Sequence, residues 1–112
     1  MEKTEIYVGL NDQFTKQQKF ETEKYVSILK NVCRSYKVAF SFNVIEGGYI
    51  HDSGEYTQET TLKLSLIGTP RETVEEIARD LCTFFVQESV LVTVNQVEMY
   101  YVNSGFNEIP EL

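Results

Sequence analysis

Apolar and polar residues alternate in four separate stretches of the chain, and this alternation predicts four β-strands. In the last stretch the apolar positions change phase near Asn95-Gln96, which indicates a bulge or a break in that strand. The sequence between the second and third strands is typical of a long hairpin, into which both strands can extend. The predicted strands are Glu5–Leu10, Val38–Val44, Thr61–Ile67 and Val90–Val102, and the hairpin end is Glu46–Thr60.

Two further stretches carry apolar residues at the spacing of one helix face, and they predict two amphipathic helices. The first helix is predicted from Lys16 to Tyr36, behind a capping box that begins at Thr15. The second helix follows Thr69-Pro70-Arg71-Glu72, in which the threonine caps the helix and the proline takes its first position. It is predicted to end near Gln87.

The element order β-α-β-β-α-β predicts an α+β ferredoxin-like sandwich. In that fold four antiparallel strands form one sheet and both helices cover one face, so the other face stays open. At 112 residues the chain has room for one such domain. We predict a single domain over residues 1–102 and a C-terminal tail over residues 103–112.

Seventeen acidic and ten basic residues give the chain a formal net charge of −7. This charge disfavours direct binding to nucleic acid or to an anionic membrane surface, because both are bound through basic side chains. It is compatible with a basic protein partner, and equally with a charge that only maintains solubility. No apolar stretch approaches the roughly 20 residues of a membrane span and no secretory signal is recognisable, so we expect a cytoplasmic protein.

The chain carries none of the short motifs that indicate a known catalytic or cofactor chemistry. Cys33 and Cys82 lie on apolar helix faces and are interpreted as reduced, buried thiols rather than as a redox pair or a nucleophile. His51, Asp52 and Glu55 are residue types that bind metals, but in a hairpin tip they are more typical of a turn. We therefore predict no catalytic residue, no metal and no cofactor.

Four segments carry a further pattern: Tyr7-Val8-Gly9-Leu10-Asn11, Gly54-Glu55-Tyr56 with Glu59, Leu62-Lys63-Leu64-Ser65-Leu66, and Phe85-Val86-Gln87-Glu88-Ser89-Val90-Leu91. In this order they resemble a family of small bacterial proteins that is classed only as a domain of unknown function. In that family a Gly-Leu strand, a glutamate before the third strand and a Gln-x-Ser-Val-Leu junction recur. The resemblance implies a ferredoxin-like fold and no established activity. The chain also looks like the small accessory proteins of phages and conjugative elements.

The lack of catalytic motifs, the acidic charge, the open sheet face and several tyrosines outside the core favour a non-enzymatic interaction protein. An anti-CRISPR-like inhibitor of a basic, nucleic-acid-handling host protein is one such case. A second hypothesis is a ligand-binding or enzymatic domain that uses a cleft between its open sheet face and a second subunit. A third is a purely structural homo-oligomer, such as a homo-dimer, whose open face is its only interface. The candidate interaction surface consists of Tyr7, Ser41, Tyr49, His51, Asp52, Glu55, Tyr56 and Lys63.

Overall fold

The computed structural model describes residues 1–50 and 53–105, without the side chain of Tyr49. In this part of the chain four strands form one antiparallel sheet in the order β2-β3-β1-β4, and two helices lie against it. The predicted ferredoxin-like α+β fold is therefore confirmed. The elements are β1 (Glu2–Gly9), α1 (Thr22–Ser35), β2 (Ser41–Ile50), β3 (Tyr56–Ile67), α2 (Arg71–Phe84) and β4 (Leu91–Gln96).

The hydrophobic core lies between the helices and one face of the two central strands. Alternate residues of β1 and β3 point into it, as the sequence pattern predicts, and both helices bury one apolar stripe against them. Neither of the two described helices covers the opposite sheet face. The fully buried side chains include Ile6, Val8 and Leu10 at β1, Leu62 and Leu64 in β3, Leu29 in α1, and Ile77 and Leu81 in α2.

The first helix begins six residues later than predicted, at Thr22 rather than Lys16. The predicted capping box is absent because Asp12 takes the backbone donors that a helix start would use. Its Oδ1 accepts the N–H groups of Phe14 at 2.7 Å and of Thr15 at 3.1 Å. Lys16 then adopts a φ of 61°, which a helix cannot contain. Residues 11–21 form a folded loop instead of the first turns of α1.

The second helix also differs from its prediction at both ends. Pro70, rather than Thr69, occupies the N-cap position, and no side chain caps the helix there. The helix ends at Phe84, short of Gln87, because Val86 takes a φ of 53° and turns the chain toward β4. Pro70 itself has an extended backbone with a ψ of 143°, and its ring fixes φ, so the backbone and not a side chain sets the helix start.

The last strand ends at Gln96, so the phase change in the sequence marks a break rather than a bulge. Beyond it the N–H of Val97 donates to the carbonyl of Met1, and the described chain continues outside the sheet to Gly105. The domain boundary at residue 102 stays a prediction, and residues 106–112 lie outside the described part. Neither of the two described helices has the length and apolar character needed to cross a membrane.

The two cysteines are free thiols in the described structure. Cys33 is buried as predicted, whereas Cys82 is only half-buried. Burial raises the pKa of Cys33 to about 11 and also raises the pKa of Cys82. Both thiols are therefore protonated at neutral pH, and neither has the thiolate character of a nucleophile.

Candidate active site

A polar cleft lies at one end of the sheet, where β1 ends and the loop toward α1 begins. We call this the upper end. Its walls come from that loop, from the start of β3 and from the junction between α2 and β4. The upper cleft holds a cavity of about 200 Å³, lined by Asn11, Asp12, Gln13, Lys16, Glu59, Gln87, Glu88 and Ser89. An adjoining cavity of about 180 Å³ shares two of these residues and is lined by Asn11, Gln18, Glu46, Gln58, Glu59 and Thr60.

Glu59 lines both cavities, and the fold fixes the position of its carboxylate. Gly9 lies opposite, and a Cβ added to it would overlap the Glu59 carboxylate. The absence of a side chain at Gly9 thus lets the carboxylate lie over the end of β1. Its Oε2 accepts the N–H of Asn11 at 3.0 Å. The space over Gly9 and the N–H of Asn11 together hold the Glu59 carboxylate in the cleft.

The two walls of the cleft are tied to each other by hydrogen bonds across the chain. Gln87 donates from Nε2 to the carbonyl of Asn11, and to the carbonyl of Phe85 at 3.3 Å. The N–H of Gln13 donates to the carbonyl of Val86 at 3.1 Å. Because these bonds join the loop after β1 to the junction after α2, the cleft is a preformed feature of the fold.

Asp12 stabilises the loop that forms one wall. Its side chain is 5% exposed, and its Oδ2 lies 3.2 Å from Nζ of Lys19. The backbone N–H groups of Thr15 and Phe14, followed by Lys19, lower the pKa of Asp12, so the carboxylate is ionised at neutral pH. The same turn gives Lys16 its left-handed backbone at the rim of the cavity. The lining of the larger cavity therefore has one basic residue, Lys16, and three acidic residues, Asp12, Glu59 and Glu88.

This arrangement suits a polar ligand that carries both a positive charge and hydrogen-bonding groups. The carboxylate of Glu59 offers a strong acceptor for an ammonium group, and Lys16 offers a donor for an anionic one. Across residues 1–50 and 53–105, no three His, Cys, Asp or Glu side chains are grouped as a metal site requires. The chemistry that the cleft offers is binding and orientation by charge.

Of the eight residues of the predicted interaction surface, five have described side chains, and none of these five lines the upper cleft. Tyr7 and Lys63 are on the open sheet face, where Tyr7 donates to Glu5 at 2.7 Å and Lys63 lies 3.4 Å from the same carboxylate. Ser41 is exposed at the start of β2. Glu55 and Tyr56 are exposed at the far end of the hairpin, while His51, Asp52 and the side chain of Tyr49 lie outside the described residues.

Some of the residues that build the cleft lie in the segments that carried the family resemblance, although no role was predicted for them. Gly9, Glu59 and Gln87 belong to three different segments of that pattern. In the structure they meet at the upper end of the sheet. Their common location could have been predicted only from the pairing of β1 with β3, which brings Gly9 opposite Thr61.

No family model and no curated protein matches the chain. Solved structures of a phage SAM lyase do match its fold. The lyase in complex with S-methyl-5′-thioadenosine superposes with a TM-score of 0.64 at 21% identity, over 96% of this chain and 92% of the lyase. The apo lyase gives 0.65 at 22% identity over the same shares.

Two further structures share the fold at lower identity. B. subtilis GlnK in complex with ATP has a TM-score of 0.54 at 14% identity, over 86% of this chain and 82% of GlnK. A DUF3240 family protein from Shewanella baltica has a TM-score of 0.51 at 8% identity, over 92% and 97% of the two chains. At these identities the four comparisons establish the fold. The DUF3240 structure agrees with the expected fold of an uncharacterised family, and the connection with phages or conjugative elements stays a prediction.

The prediction of a non-enzymatic, anti-CRISPR-like interaction protein is wrong by these comparisons. Two of the matching structures are of a phage SAM lyase, so a protein of this fold can be an enzyme. The prediction took the absence of named motifs as evidence against an enzyme. That inference fails because a site can act by positioning its substrate, without a nucleophile, metal or cofactor that a short motif would reveal.

Proposed function

We propose that the chain is an enzyme that binds S-adenosylmethionine in the upper cleft and cleaves it to S-methyl-5′-thioadenosine. The observation that carries the proposal is the Glu59 carboxylate, which lies over Gly9 in a polar cleft and is fixed by the N–H of Asn11. It is supported by the shared fold with a lyase that binds S-methyl-5′-thioadenosine. GlnK adds a second matching fold with an adenosine-containing ligand, ATP.

The proposed reaction needs no second reactant. S-adenosylmethionine contains a positively charged sulfonium, an α-ammonium group and a carboxylate. If the carboxylate oxygen attacks the Cγ atom bonded to sulfur, a C–O bond forms and the C–S bond breaks. The electron pair of the C–S bond stays on sulfur, which gives neutral S-methyl-5′-thioadenosine. The remaining four carbons leave as homoserine lactone, which keeps the ammonium group, so atoms and charge balance without proton transfer.

For such an intramolecular displacement the protein mainly has to hold the reacting carboxylate in line with the C–S bond. The Glu59 carboxylate provides a charge-assisted acceptor for the α-ammonium group, which fixes the methionine part of the substrate. Gln87 keeps the opposite wall in place through its bond to the carbonyl of Asn11. Glu59 thus acts as a binding and orienting group.

The direct test is to incubate the purified chain with S-adenosylmethionine and to measure both products by liquid chromatography and mass spectrometry. We expect S-methyl-5′-thioadenosine and homoserine lactone in equal amounts. Glu59→Gln keeps the shape of the side chain but removes its charge, and we expect it to lower kcat/KM by about 100-fold. Glu76→Gln is the matched control, because Glu76 is an exposed residue of α2 away from the cleft, and it should change nothing.

Each result has a distinct meaning. Formation of neither product above the rate in buffer would show that the proposed cleavage is wrong. If Glu59→Gln were as active as the wild type, Glu59 would not bind or orient the substrate. Titration calorimetry measures whether the chain binds ATP, the other adenosine ligand. If the chain binds ATP tightly and does not cleave S-adenosylmethionine, it is a nucleotide-binding protein and the lyase proposal is wrong.

A further inference from the structure

In the proposed function the upper cleft holds the methionine part of the substrate by charge, but its lining has no apolar surface for an adenine ring. All the residues that line its two cavities are polar or charged, and the larger cavity measures about 200 Å³. Small-molecule sites are mostly apolar and usually hold about 300–1,000 Å³. The adenosine part of the ligand therefore extends beyond the cavities, and the residues at their rim determine what it contacts.

On one side the rim is the loop after β1, which backbone hydrogen bonds close on itself. The N–H of Asp12 donates to the carbonyl of Gln17 at 2.9 Å, and the N–H of Lys16 donates to the carbonyl of Asp12 at 2.8 Å. We call residues 13–16, which lie inside this closure, the loop tip. The bond from the N–H of Gln13 to the opposite wall holds the tip from the other side. Because its backbone is fixed in this way, the loop tip presents its side chains at a defined place beside the cleft.

The loop tip carries an aromatic side chain, Phe14, that the fold leaves in solvent. Phe14 is 78% exposed, compared with 50% for Phe20 and 57% for Phe84. Across residues 1–50 and 53–105, no aromatic ring and no cation packs on the Phe14 ring, whereas Phe20 lies against Tyr25 and below Lys24. A turn that only reverses the chain favours small or polar residues. The loop tip thus offers an aromatic face, which is the chemistry that the cavities lack.

Phe14 lies directly beside the larger cavity of its own chain. Its N–H donates to Oδ1 of Asp12 at 2.7 Å, and Asp12 lines that cavity. Gln13 before it and Lys16 after it line the cavity as well, while the Phe14 ring itself does not. An exposed side chain changes its rotamer within picoseconds to nanoseconds. The ring can therefore turn about χ1 while the hydrogen bonds keep the backbone of the loop tip in place.

The surroundings of Phe14 favour a flat small ligand over a protein partner. The other residues of the loop tip are Gln13, Thr15 and Lys16, so Phe14 is a single apolar side chain among polar ones. Protein interfaces bury a central group of several apolar residues, and the loop tip has no such group. One aromatic face is sufficient for a nucleic acid base, because every base has a flat π-face that can stack on it.

We propose that the Phe14 ring turns over the mouth of the upper cleft and stacks on the adenine ring of a ligand whose methionine part is held by Glu59. This inference rests on the proposed function for the identity of the ligand. Stacking of a base on an aromatic side chain changes affinity by roughly 10- to 100-fold, so Phe14 determines how tightly the nucleoside is bound. The reacting carbon lies at the other end of the substrate, so this contact is equally strong in the ground state and in the transition state.

The first experiment measures binding of the two ends of the ligand separately by titration calorimetry. S-methyl-5′-thioadenosine carries the base without the methionine part, and S-methylmethionine carries the methionine part and a sulfonium without the base. We expect Phe14→Ser to weaken binding of S-methyl-5′-thioadenosine by roughly 10- to 100-fold and to leave S-methylmethionine unchanged. Glu59→Gln should have the reverse effects. Phe14→Trp keeps an aromatic face and should bind S-methyl-5′-thioadenosine at least as tightly as the wild type.

The second experiment measures cleavage of S-adenosylmethionine by the same variants. Because uniform binding changes KM and not kcat, Phe14→Ser should raise KM by the factor lost in binding and keep the kcat of the wild type. Tyr100→Ser is the matched control, since Tyr100 is an aromatic residue of equal exposure (78%) outside the sheet, and it should change neither constant. If Phe14→Ser bound S-methyl-5′-thioadenosine like the wild type, or lost both probes equally, the proposal would be overturned.

The two proposals fail in different ways. If the wild type binds S-methyl-5′-thioadenosine through Phe14 and does not cleave S-adenosylmethionine, the proposed function is wrong and the stacking contact stands. If the wild type cleaves S-adenosylmethionine and Phe14→Ser has the same KM, the proposed function stands and the stacking contact is wrong. A wild type that binds neither probe and cleaves nothing contradicts both. Circular dichroism of each variant separates loss of contact from loss of fold.

Discussion

The body of the sheet and its upper end are held together in different ways. In the body, where β1 pairs with β3 and the helices cover one face, the interactions are mainly burial of alternating apolar side chains. At the upper end the structure depends on polar bonds between distant parts of the chain. The bond from Asn11 to Glu59 spans 48 residues, and the bond from Gln87 to Asn11 spans 76. We therefore expect stability to depend mainly on the body, whereas the upper end holds the candidate site.

This contrast predicts that substitutions in the body change the free energy of unfolding far more than those in the cleft. The largest effect is expected for Leu64→Ala. Leu64 is fully buried, and its neighbours across the strands are Ile6 and Phe42. Loss of its side chain leaves a cavity between the sheet and the helices, and should lower the free energy of unfolding by about 2–5 kcal/mol.

Urea unfolding followed by circular dichroism measures this change. Ser65→Ala is the control, because Ser65 is the next residue of β3 and points to the open face. It should alter the free energy of unfolding by less than about 0.5 kcal/mol. If the two variants were equally stable, the body would not depend on its apolar layer, and the contrast with the upper end would be wrong.

A change of opposite kind is expected for Gly9→Ala, which should disturb the cleft and leave the body nearly intact. The new methyl group would occupy the position of the Glu59 carboxylate. That carboxylate is the end of a flexible side chain, so it moves away and gives up its bond to the N–H of Asn11. We expect about a 10- to 100-fold loss in kcat/KM with a small change in unfolding free energy.

Gly47→Ala is the matched control for this variant. Gly47 of β2 pairs with Glu59 of β3, but a Cβ added to it meets nothing within 4 Å. Its activity on S-adenosylmethionine and its midpoint of thermal unfolding should remain those of the wild type. Equal loss in both alanine variants would point to a general effect of strand glycines rather than to the position of the carboxylate.

The same contrast explains what the sequence could predict. The order of elements and the inward side chains of β3 follow from alternation over a few residues, which is a local signal. The start of α1 was mispredicted because a capping box at Thr15 competes with the turn of Asp12, and the turn takes its backbone donors. The ends of α2 and β4 are set by the turn at Val86 and the break after Gln96, which local patterns define only loosely.

The cleft could not be predicted from local patterns, because its residues come from distant segments of the chain. Glu59 and Gln87 look like ordinary polar residues at the ends of elements, and each becomes part of a site only when β1 lies between β3 and β4. The pairing register places Gly9 where the carboxylate needs space. No pattern within either segment contains this information. The segments that resemble a family without known activity include Gly9, Glu59 and Gln87, but the resemblance gave no role for them.

The smallest effect that we predict concerns the wall of the cleft and depends on pH. The N–H groups of Thr15 and Phe14, and then Lys19, lower the pKa of Asp12 in the folded protein. A lowered pKa contributes stability that is present above the ordinary aspartate value of about 4 and is lost as the pH falls through the folded value. Asp12→Asn should therefore be less stable than the wild type at pH 7, and the two should converge in acid.

Thermal unfolding between pH 3 and pH 8 measures this difference, and the other carboxylates cancel because both proteins contain them. Lys19→Met separates the causes, since it removes the cation and keeps the two backbone bonds. Its effect at pH 7 should be smaller than that of Asp12→Asn, because the backbone donors are the main cause of the lowered pKa. If Lys19→Met were the more damaging variant, the loop would be held by an ion pair that salt can screen, and the upper cleft would be less preformed than its hydrogen bonds indicate.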